Sequence, residues 1–233
     1  MVQLLVLGST GAVFPLFICM VIAYFIGNVS PAILIGRAYG IDIKKEGSGN
    51  AGTTNVLRVL GKKAAAMTLV IDIGKGVLAV WVGRIAGMFV MKAQAGTMIS
   101  IMGPGMPDTI PDFDYRLIFG AACAFAVMCG HIWPAFFRFK GGKGVATAFG
   151  ALATVAPALG FSALGVVALV VIITKRVSAG SVCGAALAPV FAYLFVPQVW
   201  GWILLMAIIV IFKHRSNIGR LIRGEEPKLS FKK

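Results

Sequence analysis

The chain has 233 residues, 59% of them hydrophobic and only 13% charged, with a mean hydropathy of +0.92. A soluble domain carries about twice that share of charge, so the composition describes an integral membrane protein, with length for one domain. The formal net charge of +14 does not imply a nucleic-acid partner. The basic residues sit between apolar segments, where the positive-inside rule and anionic headgroups account for them. Residues 1–13 lack the basic start and cleavage site of a secretory signal. Cys19, Cys123, Cys129 and Cys183 lie inside apolar runs and read as small fillers rather than a disulfide or metal framework.

Apolar segments fall at about 11–38, 64–90, 115–137, 145–173, 177–196 and 199–213. About 20 helical residues cross roughly 30 Å of hydrocarbon, so 145–173 is long for one crossing and short for two. Charge decides between these. If the segment turns near Pro157 and Gly160 and crosses twice, all the basic groups fall on one side: Arg37 to Lys63, Arg138 to Lys143, Lys175-Arg176 and the tail from Lys213. Only Lys75, Arg84, Lys92 and Arg116 of the 22 Lys and Arg then stand apart. The expected fold is an all-α integral membrane protein of about seven transmembrane helices, N-terminus outside and C-terminus cytoplasmic. Tilt or local thinning absorbs the shorter crossings. Residues 1–12 read as an N-terminal extension and 91–114 as an extracytoplasmic loop carrying Asp108, Asp112 and Asp114. Residues 214–233 read as a cytoplasmic tail whose Ile218, Leu221 and Ile222 offer a short apolar face to headgroups.

That topology puts three polar islands on one face. The first is Gly47-Ser48-Gly49-Asn50-Ala51-Gly52-Thr53-Thr54-Asn55, closed by Arg58. Its glycines can present backbone N–H groups to an anion, its hydroxyl and amide side chains add neutral donors, and Arg58 adds a planar fork for phosphate oxygens. The competing reading is a polar link between two helices. The second is Lys140-Gly141-Gly142-Lys143-Gly144, an anion cradle leading into an apolar helix, or a basic anchor with a glycine hinge. The third is Lys213-His214-Arg215-Ser216-Asn217 with Arg220, followed by Glu225 and Glu226. His214 and Asn217 share a helical face. His214 serves either as a phosphate donor or base, or as part of a headgroup anchor. Within the spans, Asp72 and Lys75 lie one turn apart. An internal ion pair is favoured over a substrate contact by Lys75. His131, at the end of the third span, is read as a structural hydrogen-bonding group in preference to a catalytic one.

Several familiar chemistries are excluded. Lys143 is followed by Gly144, not Ser or Thr, so the second island is not a nucleotide-binding loop. Phe136 and Gly219 stand where a His-x4-Asp acyltransferase dyad would need an acid after His131 or His214. Gly47-Ser48-Gly49 is not an intramembrane serine-protease motif, and no acid cluster accompanies the islands to hold Mg²⁺. No cofactor or metal is expected. A transporter would show two related halves with charges at mid-membrane, and a scaffold would not need three phosphate-type islands.

In order along the chain stand Gly47-Ser48-Gly49-Asn50-x-Gly52-Thr53-Thr54-Asn55-x-x-Arg58, Asp72-x-x-Lys75-Gly76, Gly130-His131-x-x-Pro134, Lys140-Gly141-Gly142-Lys143-Gly144-Val145-Ala146-Thr147 and His214-x-x-Asn217-Ile218-x-Arg220-Leu221. Together they resemble the bacterial acyl-phosphate:glycerol-3-phosphate acyltransferase family, PlsY, over nearly the whole chain. The resemblance implies a multi-pass enzyme of the bacterial inner membrane with its motifs facing the cytoplasm. It implies transfer of a fatty acyl group from acyl phosphate to the sn-1 hydroxyl of glycerol 3-phosphate, giving lysophosphatidic acid and phosphate, the first step of bacterial phospholipid synthesis. The implied partners are the two substrates and membrane lipids. Ser48 and Arg58 are implied to be essential, Gly141, Gly142 and Gly144 to bind acyl phosphate, His214 and Asn217 to serve activity, and Glu226 to maintain structure. The remaining island residues, Gly47, Gly49, Asn50, Gly52, Thr53, Thr54, Asn55, Lys140 and Lys143, are expected to line the substrate site.

Overall fold

The computed structural model describes residues 11–102 and 114–229, with side chains described to residue 94 in the first stretch. The described α-helices are α1 (Val13–Asn28), α2 (Pro31–Ala38), α3 (Thr53–Leu60), α4 (Lys62–Met102), α5 (Tyr115–Ile132), α6 (Val145–Val155), α7 (Pro157–Thr174), α8 (Val177–Phe195), α9 (Trp200–Lys213) and α10 (Arg215–Ile222), with short 3-10 turns at Ala135–Phe137 and Pro197–Val199. An all-helical design is what hydrocarbon demands, because a helix satisfies its backbone N–H and C=O groups within one segment.

About seven crossings were expected, and by length and composition the helices divide as follows. Among the described residues, five stretches are long and apolar enough to cross: Val13–Ala38, Lys62–Gln94, Tyr115–Phe137, Pro157–Thr174 and Val177–Phe195. A sixth is formed if Pro197–Lys213 and Arg215–Ile222, bent by 58° at His214, count as one. The 145–173 run does break where Pro157 suggested. Ala156 is extended (φ −152°, ψ 114°) and Pro157 opens α7 at a position where its missing N–H is harmless. The two pieces are unequal, however. The 11 residues of α6 reach only about 16 Å at 1.5 Å per residue, half a bilayer. The loop expected from residue 91 also starts later. Residues 91–102 contain no proline and continue α4 to Met102. Residues 103–113, like residues 1–10 of the expected N-terminal extension, lie outside the described residues. Asp114 is an N-cap. Its carboxylate accepts the N–H groups of Arg116 (2.9 Å) and Leu117 (3.3 Å) at the start of α5.

α5 is the central helix, packed by α1, α4, α6 and α9. It is suited to this by a run of small side chains, Gly120, Ala121, Ala122, Cys123, Ala124 and Ala126, that let neighbouring backbones approach. α7 lies at the opposite extreme, with Phe161, Leu169, Ile172 and Ile173 exposed, as a lipid-facing helix requires. Two contacts set the bundle's tightest seams. A side chain at Gly130 would put its Cβ 2.1 Å from the Tyr24 carbonyl oxygen, and one at Gly150 would put it 2.2 Å from that of Ile73. These glycines join α5 to α1 and α6 to α4.

Gly130→Val is expected to destabilise the protein by about 1–3 kcal/mol through overpacking. Gly74→Ala on α4, where an added Cβ meets nothing within 4 Å, should be neutral or stabilise by up to about 1 kcal/mol. Thermal unfolding in detergent checks both, and equal effects would refute the assignment of that seam.

Candidate active site

One cavity of about 1030 Å³ runs between α4, α6, α7, α8 and α9. Its polar end is formed by residues of all three islands: Ser48, Asn50, Thr53, Thr54 and Arg58, then Lys143 and Gly144, then His214, Asn217 and Arg220. Its other walls are apolar and include Phe149, Leu152, Leu164, Val167, Ala188, Ile203 and Met206. Residues far apart in sequence thus share one space that is cationic and hydroxyl-rich at one end and greasy along the rest.

The first island folds onto Asn55. Its Oδ1 accepts the Ser48 N–H at 2.8 Å, and its Nδ2 donates to the carbonyls of Ile43 and Glu46, both at 3.0 Å. Gly47 (φ 59°) and Gly49 (φ 68°) take the left-handed backbone this turn needs. A Cβ on Gly47 would sit 2.4 Å from the Asn55 Oδ1. Two of the backbone donors expected to face an anion are turned inward. Gly49 N–H donates to Glu46 O and Gly52 N–H to Asn50 O, both at 3.0 Å. Tight turns thus engage the N–H groups of two of the three glycines expected to face a ligand. What the loop offers instead is side chains: Ser48, Thr53, Thr54 and Arg58. The Thr53 hydroxyl oxygen is buried with no hydrogen-bond partner, and Arg58 has no carboxylate at salt-bridge distance among the described residues.

The second island divides. Gly141 N–H donates to Ile132 O (3.1 Å) and Gly142 N–H to His131 O (3.2 Å), so neither lines the cavity with a free donor. Both must be glycine. A Cβ would lie 2.0 Å from His131 O in the first case and 2.2 Å from His131 Nε2 in the second. Lys140 is exposed and outside the cavity lining. Lys143, Gly144 and the first turn of α6 do reach the cavity, and the first N–H groups of a helix have no intrahelical acceptor and favour an anion.

The third island is held by Glu226. Its Oε1 accepts from Ser178 Oγ and Asn217 Nδ2, both at 2.7 Å, and its Oε2 accepts from Arg220 Nε at 2.7 Å. Burial opposes ionisation of this carboxyl, but the hydrogen bonds from Asn217, Ser178 and Arg220 outweigh it and hold the pKa below the usual carboxylate value. With its Nδ2 so engaged, Asn217 presents Oδ1 to the Lys143 ammonium, which donates to it. Burial, chiefly, pulls Lys143 down to about 8. Glu226 opposes this, and the cations Arg220, Arg58 and Lys213 add to it. His214 is 3% exposed. Its Nδ1 lies 2.8 Å from the Val210 carbonyl and so must carry the hydrogen, leaving Nε2 as an acceptor in the neutral ring.

Beneath the islands, Lys75 Nζ pairs with Asp72 Oδ1 (2.7 Å), donates to Val29 O (2.8 Å) and lies 2.8 Å from His131 Nδ1. Asp72 Oδ1 also lies 3.1 Å from His131 Nδ1. Asp72 and His131 border the cavity and Lys75 does not. The trio ties α4 to α5 and to the end of α1. Residue patterns alone missed Ser178 and Ser181, which also line the cavity. The signal was a pair of serines three apart at the start of an apolar segment, hence on one helical face.

The fold and site define a polytopic membrane protein with a cavity that is polar and cationic at one end and apolar along the rest. A family profile described as glycerol-3-phosphate acyltransferase matches residues 17–224, and the chain belongs to that family. It is 42% identical to a glycerol-3-phosphate acyltransferase of Clostridioides difficile (strain 630), over 95% of this chain and 98% of the relative. It is 40% identical to one from Thermoanaerobacter sp. (strain X514), over 91% and 94% respectively. Among solved structures it is similar to PlsY (YgiH), an integral membrane glycerol 3-phosphate acyltransferase, in its glycerol 3-phosphate form. The TM-score is 0.73 and the identity 27%, over 92% of this chain and 96% of that one. The lysophosphatidic acid form gives a TM-score of 0.70.

Lys75→Met is expected to destabilise the protein by about 3–5 kcal/mol, because it strands the buried Asp72 carboxylate. Unfolding in detergent reads this directly, and a loss under about 1 kcal/mol would mean the trio does not hold the helices.

Proposed function

We propose that this protein transfers a fatty acyl group from acyl phosphate to the sn-1 hydroxyl of glycerol 3-phosphate, releasing lysophosphatidic acid and inorganic phosphate. The reading places it in the bacterial inner membrane, N-terminus outside and islands facing the cytoplasm, with membrane lipids around it. The observation that carries it is the two-part cavity, whose apolar walls suit an acyl chain and whose cationic end suits two phosphates. Family membership and the two ligand forms of the solved relative, one with the acceptor and one with the product, support the same reaction.

In this mechanism Arg58, Lys143 and the first turn of α6 hold the phosphates, while Ser48 and Thr53 orient them through their hydroxyls. An acyl phosphate is a mixed anhydride, already activated, so no acyl-enzyme is needed. The acceptor hydroxyl oxygen bonds to the acyl carbon, the bond from that carbon to the bridging phosphate oxygen breaks, and the electron pair leaves with phosphate. Fixed cations neutralise the departing charge, and alignment of the two substrates supplies much of the rate. The hydroxyl proton passes to His214 Nε2 or to an oxygen of the leaving phosphate. Few carboxylates border the cavity, which avoids repelling two anionic substrates, and the two that do, Glu226 and Asp72, are neutralised by their own partners. Asp72, Lys75, His131 and Glu226 act as framework.

Purified protein with palmitoyl phosphate and glycerol 3-phosphate, without added metal, should form lysophosphatidate. Ser48→Ala and Arg58→Gln should each lower kcat/KM by about 10²-fold or more. Absence of product from folded protein would overturn the reading, and a trapped acyl-Ser48 adduct would overturn direct transfer. His214→Gln separates the two proton acceptors: loss of the acidic limb of the kcat–pH profile assigns the proton to His214, and retention assigns it to phosphate.

The pH dependence of substrate binding follows from Lys143. Its ammonium is present below about 8 and is lost as pH rises through that value. KM for the phosphate substrates should therefore climb on the alkaline side, and Lys143→Arg, charged throughout, should flatten the climb. An alkaline KM limb unchanged in Lys143→Arg would remove Lys143 from phosphate binding.

A further inference from the structure

A second pocket, of about 510 Å³, lies apart from the cavity described above. It is lined by Arg37, Asp42, Lys44, Phe136, Phe137 and Arg138, among others. Its place in the fold gives its depth. The spans Val13–Ala38 and Tyr115–Phe137 both end at its walls, so it opens at the level where hydrocarbon gives way to headgroups.

The pocket is built for negative charge. Three of its side chains are cationic against one carboxylate, and the Asp42 carboxylate already accepts the Lys44 N–H at 3.1 Å. Phe137 organises the cations. The Arg37 guanidinium lies 5.3 Å and the Lys44 ammonium 5.9 Å from its ring centre, and Lys44 Nζ also donates to the Phe137 carbonyl at 3.3 Å. Among the described residues, neither Arg37 nor Arg138 has a carboxylate at salt-bridge distance. Like charges gathered in this way repel one another unless an anion sits among them. The backbone is also strained here. Arg138 (φ 55°) and Phe139 (φ 57°) are consecutive non-glycine residues in the left-handed region, a conformation that persists only where the surroundings enforce it. Phe136 and Phe139, 68% and 60% exposed, and Tyr39, 61% exposed, stand beside the pocket as aromatic side chains do at a membrane interface.

We propose that this pocket binds the phosphate of an anionic phospholipid headgroup from the surrounding bilayer, with Arg37, Lys44 and Arg138 as its donors and Phe136 against the adjoining acyl region. The proposal requires only that the chain is embedded in a membrane, so it stands or falls independently of the acyl-transfer reaction. The segment 41–46 on one wall leads into Gly47–Arg58, and Arg138 leads into Lys140–Gly144. An occupied pocket would thus brace both loops that form the polar end of the main cavity.

The test is native mass spectrometry of the full chain in detergent, titrated with dioleoyl-phosphatidylglycerol, with dioleoyl-phosphatidylcholine and with inorganic phosphate. One phosphatidylglycerol should bind more tightly than phosphatidylcholine. Arg37→Gln/Arg138→Gln should weaken it by about tenfold or more, the effect of losing charge-assisted contacts. Lys62→Gln/Lys63→Gln, which removes equal charge from the exposed start of α4, should leave it unchanged. So should Arg58→Gln, which touches only the main cavity. Equal losses in the two double variants would show diffuse surface charge and overturn the site. A loss with Arg58→Gln would assign the lipid to the main cavity, and displacement by inorganic phosphate at matching concentration would make the ligand a soluble anion. Either result overturns the proposal. If the Arg37/Arg138 variant does not fold, Arg138→Glu, a change at one exposed side chain, must abolish the preference for phosphatidylglycerol, and a retained preference refutes it.

Discussion

The Glu226 carboxylate is the interaction on which the polar end of the molecule depends. It takes three hydrogen bonds, from Ser178 at the start of α8 and from Asn217 and Arg220 on α10. Asn217, with its amide so fixed, has only its oxygen left to offer, and the Lys143 ammonium takes it. One carboxylate therefore joins the tail, α8 and the entrance to α6. The chain beyond it is drawn in as well: Arg176 Nε donates to Glu226 O at 3.0 Å and Leu229 N–H to Lys175 O at 2.6 Å. A buried acid would ordinarily offset the charge of the basic residues around it. Here it is neutralised by its own donors, so the cavity keeps a positive field while its geometry is fixed by an ion.

A second constraint lies deeper. Asp72, Lys75 and His131 form a buried polar trio between α4 and α5, closed by the Val29 carbonyl. Charges in a low-dielectric interior need partners on every side, and here each helix supplies what another lacks. Gly142 lies directly over His131 Nε2, with no room for a Cβ, so the second island rests on this trio. The glycines of that island, which resemble a phosphate cradle in sequence, act in the fold as points of close backbone approach. Of that stretch, Lys143 and the first turn of α6 are what reach the cavity.

Much of the architecture was legible in the sequence. Long, continuously apolar segments separated by basic loops specify a helical membrane protein, because a helix satisfies its backbone within one such segment while a barrel strand is short and alternating. The break at Ala156–Pro157 could be anticipated from proline chemistry. The number of crossings could not, because an apolar run records how much hydrocarbon it can face and not whether it spans alone. The 11 residues of α6 are apolar yet sheltered among α4, α5 and α7. The island residues were visible as types able to hold phosphate, but their N–H groups were not assignable. Hydrogen bonds such as Gly49 N–H to Glu46 O or Gly141 N–H to Ile132 O form only when turns close.

By itself, the sequence determined the class, the three islands, and the pairing of Asp72 with Lys75, since each follows from local composition or from the one-turn spacing of a helix. Tertiary structure alone decided that Ser178 joins the site, that Asn55 is used within its own loop, and that Glu226 gathers donors from two helices while Glu225 pairs with the exposed Arg223. Those choices depend on which donors converge on a carboxylate or an amide from separate helices. Convergence is a property of packing, which no spacing along the chain encodes.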